Sequence, residues 1–175
     1  MAQVQWKFPA PLQDLYDHWQ SKRTENGGNI PRYGDIDLAA IPSATRHLAF
    51  LEVAGNGVDF AYRYFGSALA EAVGRDCTGQ RMSQTIAAGA YLDYLLDINR
   101  EVVRERRALF CESSFRSGKL AARWTSRLIM PLRLDGDGID MLVAGLVFGG
   151  AGSGGQMTAY AASNAVEEGV RVLLD

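Results

Sequence analysis

Cysteine and histidine are both scarce in this chain, with two of each among 175 residues. Cys77 and Cys111 stand far apart and form no Cys-x-x-Cys pair, which excludes a thiol-redox motif and a cysteine-based zinc site. Each reads as a small buried hydrophobe. His18 and His47 form no His-x-x-x-His pair. No Gly-x-Ser-x-Gly elbow or Cys–His signature occurs, so the common hydrolase and metalloprotease arrangements are excluded. A surplus of one charge is missing too. Eighteen basic and 20 acidic side chains leave a net charge of −2, which excludes a sequence-wide basic field for nucleic acid or anionic membrane. Long hydrophobic runs are also lacking. The longest, Ile139–Phe148, carries Asp140 and is too short to cross a bilayer. The start, MAQVQWKF, lacks the charged-then-apolar pattern of a signal peptide. The expectation is a cytoplasmic, reduced protein of one domain with a substantial core.

What is present is periodicity. Leu12, Leu15, Tyr16 and Trp19 share one helical face within about residues 11–23. Residues 31–42 sit between prolines and predict an irregular segment with a short turn at Ile36–Ala40. His47–Val53 and Val58–Phe65 read as strands joined by Asn56-Gly57, a strong hairpin signal. Ser67 fits an N-cap and Gly74 the residue that ends a short helix. Thr78 fits the cap of a further turn reaching about Ile86. Tyr91, Leu95, Ile98 and Val102 predict a long helix over about Ala90–Arg107. Three strand runs follow, Leu109–Phe115, Ala122–Leu134 and Ile139–Phe148, separated by Ser117-Gly118 and by Asp135-Gly-Asp-Gly138. Gly149–Gly155 reads as a linker, and Val166, Val170, Leu173 and Leu174 fit one face of a last short helix over 164–174. This order predicts an α+β domain: a five-stranded antiparallel sheet with helices on one face.

An ordered set of motifs adds to this. It comprises Trp19 with Arg23, Ile30-Pro31-Arg32 before Asp35 and Asp37, Tyr62-Arg-Tyr-Phe-Gly-Ser67, Gly74-Arg-Asp-Cys-Thr-Gly79, and Met130-Pro-Leu132 before an Asp-Gly turn. The chain resembles PAS-type sensory domains, in particular a subfamily typical of alphaproteobacterial proteins, over about Leu12–Phe148. The resemblance implies strand order 2-1-5-4-3, a cavity between sheet and connecting helices, and a role in signal sensing, often through dimers. The expected division is 1–29 as an N-terminal flanking helix, 30–149 as the PAS-like domain and 150–175 as linker and C-terminal helix.

Under this expectation a stand-alone sensory or regulatory domain binds a small ligand or a protein partner. It forms a homodimer or meets a signalling partner through the apolar face of the first helix. The cavity candidates are Phe60, Tyr62 and Tyr64, taken as one face of the second strand, with Arg63, and Trp124 and Ser126 of the fourth strand. The plainer reading makes the aromatics sheet core. Arg63 is either an anion-binding guanidinium or, the better fit, a structural partner of Asp59, Asp76 or another carboxylate. Gly66 and Gly79 serve tight turns. Haem is not supported, because neither histidine falls in the helices over a PAS cavity. Flavin is not supported either. Gly150–Gly155 contains Gly-x-Gly-x-x-Gly, but no βαβ unit follows it, so the dinucleotide reading is rejected. Asp135–Asp140 lacks the later ligands of a calcium loop. The basic run Arg100, Arg104, Arg106 and Arg107 reads as a solvated helix end. The alternative class is a small cavity enzyme, an isomerase or hydrolase, using Asp59 or His47 as acid or base. A ligand-free dimerisation module is the third.

Overall fold

The computed structural model of the chain describes residues 6–117, 120–149 and 165–175. Its centre is an antiparallel sheet of β1 (Leu48–Ala54), β2 (Asp59–Phe65), β3 (Ala108–Ser117), β4 (Leu120–Leu132), β5 (Met141–Gly149) and β6 (Ala165–Leu174) in the order β2-β1-β5-β4-β3-β6. The first five follow the expected order. The sixth corrects the predicted C-terminal helix. Gly169 is an unpaired extra residue, since Val170 faces Glu112 while Glu168 faces Ser113. This bulge shifts the alternation by one, so Val166 joins Leu173 on one sheet face while Val170, Val172 and Leu174 take the other. The resulting spacing imitates a helix, whereas the valines favour a strand. The expected glycine linker and the Ser117-Gly118 turn lie, wholly or in part, outside the described residues.

Both faces of the sheet are buried, not one. Over one face run α3 (Ser67–Val73), α4 (Met82–Thr85) and α5 (Ala90–Glu105), enclosing Leu51, Phe60, Tyr62, Leu109, Ile129 and Leu142. Over the other lies α1 (Ala10–Glu25), followed by short turns and α2 (Pro42–Thr45). Leu12, Leu15 and Trp19 of α1 are fully buried. The Trp19 indole N–H donates to the Pro131 carbonyl at 3.0 Å, and Arg23 lies over the indole ring. The apolar stripe expected to meet a partner is therefore spent inside the chain's own core. Burial of this kind is worth about 1.5–3 kcal/mol per large side chain.

Short links position these layers. Gly66 opens α3, and Ser67 is its first residue instead of its cap. The Ala68 N–H is satisfied by the Arg46 carbonyl at 3.0 Å. Gly74, at φ 85°, ends α3 as expected. Asn56 and Gly57 take positive φ in the hairpin. Asp35 and Asp37 cap local turns by accepting the Arg32 and Ala39 N–H groups at 2.8 and 2.9 Å. The basic end of α5 is exposed but partly employed. Arg100 donates to the Gly57 and Val58 carbonyls at 2.7 and 2.8 Å, and Arg107 pairs with Asp175.

Candidate functional site

Between the sheet and α3–α5 lies a cavity of about 40 Å³. Its walls come from β1 (Ala49, Leu51), β2 (Tyr62, Phe65), α3 (Leu69, Val73), α4 (Met82), α5 (Leu95, Ile98, Asn99), β4 (Arg127, Ile129) and β5 (Ala144, Leu146, Phe148). The lining is apolar except for Tyr62, Asn99 and Arg127. Half-buried Phe65, Val73 and Phe148 mark its outer side.

Arg127 is 2% exposed. Its guanidinium donates to Ser113 Oγ and Tyr91 OH, each at 2.7 Å, and stacks near the Tyr91 ring. Burying a guanidinium demands such partners. Asn99 stands on the inner face of α5, one turn from Leu95. Its Nδ2 approaches the Met82 sulfur at 3.8 Å, and its Oδ1 has no hydrogen-bond partner. Nearby, the buried Tyr94 hydroxyl lies beside Cys111 and Ser113, and burial pushes its pKa above the ordinary phenol range. Burial also raises the Cys111 and Cys77 thiols, which keeps both protonated and unreactive near neutrality.

The structure separates the sequence candidates. Tyr62 lines the cavity, while Phe60 is core on the same sheet face. Tyr64 is on the reverse face, stacked near Phe50, with its hydroxyl on the Thr45 carbonyl at 3.1 Å. The reason is a bulge: Leu51 faces Tyr62 and Phe50 faces Tyr64, leaving Arg63 unpaired in the ladder and reversing the alternation. Arg63 is exposed and forms an ion pair with Glu52, a carboxylate other than Asp59 and Asp76. Trp124 and Ser126 share the reverse face with Leu128, and Ser126 donates to Glu112 at 2.9 Å. They lie outside the cavity. The opposite alternation of β4 supplies Arg127 and Ile129 instead. Strand periodicity does not choose between two covered faces, so Arg127 was missed. Asn99 carried a fainter signal, a lone amide on the apolar stripe of α5.

The candidate acid and base are placed elsewhere. Asp59 accepts from the Ser83 hydroxyl and N–H and from the Phe60 N–H, which anchors α4. His47 lies in the turn before β1 and His18 on α1, and neither lines the cavity. Among the described residues no cluster of His, Cys, Asp and Glu fits a metal ion. No helix there is long and apolar enough to cross a membrane.

A family model described as PAS domain matches residues 7–146. No curated protein and no solved structure matches the chain. The family match takes in α1 and all five strands of the expected order, together with the helices that enclose the cavity, and the chain belongs to the PAS domain family.

Proposed function

We propose that this PAS domain is a ligand-responsive sensory or regulatory module that reports cavity occupancy to its N-terminal helix. The observation supporting this is that one strand separates the two. Ala144 and Leu146 of β5 line the cavity. Gly145 between them faces the other way, toward α1. A Cβ added there would lie 2.7 Å from Leu12 and 2.9 Å from Leu15. Packing this close has no slack, so a ligand that shifts β5 shifts the bed of α1. The recipient is a second copy or a protein partner that touches the outward side of α1, around Asp14 and Asp17. The buried thiols suit a reducing cytoplasm.

Native mass spectrometry with an absorption spectrum identifies an occupant that purifies with the chain. Hydrogen exchange then compares loaded and stripped protein. The expected result is a change in amide protection across residues 10–25 on loading. Equal exchange of α1 in both states overturns the signalling reading.

A further inference from the structure

We propose that the cavity selects a small neutral ligand carrying an O–H or N–H donor on a short apolar body, with Asn99 Oδ1 as the acceptor; this rests on the cavity being the ligand site. Asn99 is 2% exposed and borders the cavity. Its carbonyl oxygen is buried without a hydrogen bond, a state that native interiors avoid. A leucine there would pack as its neighbours Leu95 and Ile98 do, with no polar group to satisfy. The amide oxygen costs stability unless something pairs with it, and the space beside it is where a partner fits.

The surroundings narrow that partner. Most of the cavity wall is apolar, including Leu51, Met82, Leu95, Ile98 and Ile129, with Tyr62, Asn99 and Arg127 as its polar members. A ligand with an apolar body of its own suits such a wall. A carboxylate would be drawn to the Arg127 guanidinium but has no hydrogen to donate to the Asn99 oxygen. An ammonium would be desolvated in the same cavity as the Arg127 guanidinium, and like charges repel. A neutral donor has neither penalty. The volume of about 40 Å³ admits only a few heavy atoms. A site built to pair a ligand hydroxyl rejects an isostere without one, because its own polar atom is left unpaired.

The probes are ethanol and its isomer dimethyl ether, three heavy atoms each, which match in composition and differ in the donor. Carbon–proton methyl spectra of the full chain report on Leu51, Leu95, Ile98 and Ile129. The alcohol is expected to shift these methyls at concentrations lower than the ether by at least about tenfold. Asn99→Leu is expected to bring the two titrations together. Equal titration of wild-type protein by both compounds overturns donor selection and leaves the cavity reading standing. Silence of the cavity methyls toward both overturns the cavity reading itself. The wild-type comparison decides the matter even if Asn99→Leu does not fold.

Discussion

At the scale of single residues, two positions show opposite uses of a small or polar group. Gly66 has φ −61°, so it is not kept for conformational freedom. A Cβ there would lie 2.3 Å from the Arg46 carbonyl oxygen and 2.8 Å from that of Leu48. The glycine lets β2 and α3 pass against the start of β1. Gly66→Ala is expected to cost about 1–3 kcal/mol of stability as backbone is forced apart, read from denaturant unfolding; an unchanged midpoint would refute the close approach. The sequence pointed to Gly66, though for the turn instead of the contact. Ser113 is polar and fully buried, and its hydroxyl accepts from Arg127 at 2.7 Å. Ser113→Ala leaves the guanidinium one acceptor short. The expected loss is about 1–3 kcal/mol, and a variant as stable as wild type would show that the bond contributes nothing.

At the scale of elements, α1 is held by more than its apolar stripe. His18 Nε2 accepts the Asp37 N–H at 3.1 Å, tying the helix to the turn before α2. That bond needs the neutral ring. Burial first, then the nearby Lys22, lowers the His18 pKa below its ordinary value near 6.5. The unfolded chain therefore takes up the proton first as pH falls. Stability is fully present above about 6.5 and is lost as pH drops from there through the folded pKa. His18→Gln keeps an acceptor without the titration, so the difference in unfolding midpoint between variant and wild type should change across that window. A constant difference from pH 7.5 to 5 would refute the coupling. Sequence periodicity captured α1, α5 and the hairpin as elements. Where a bulge interrupts a strand it failed, on the faces of β2 and on the type of β6. Arg63 in β2 and Gly169 in β6 each reverse an alternation midway, and in β6 the reversed period of two places Val166, Val170, Leu173 and Leu174 at spacings that pass for a helix.

At the scale of the whole molecule, a sheet covered on both faces explains why the site was less legible than the fold. The alternation of β4 states that Trp124, Ser126 and Leu128 oppose Arg127 and Ile129, but not which set meets α5. Only the three-dimensional path of α1 over one face assigns the cavity to the other. The edges of the sheet are treated differently from its faces. The outer side of β2 is occupied by Gly79 and Gln80, which bond to Tyr62 on both its N–H and its carbonyl. The far side of β3 is occupied by β6, whose Arg171 also pairs with Asp97 and Glu101 of α5. Removing β6 would leave β3 as an unprotected edge, an invitation to pair with another chain. It would also expose the neighbourhood of Cys111, which is now fully buried. In a Cys77→Ser background, a chain ending at Gly149 should elute as larger species on size exclusion, and its thiol should react with a disulfide reagent without denaturant. The same background with β6 intact should react only on unfolding. If the shortened chain stays monomeric and its thiol stays silent, β3 does not depend on β6 for cover, and the sixth strand is an attachment to the PAS sheet instead of a part of its stability.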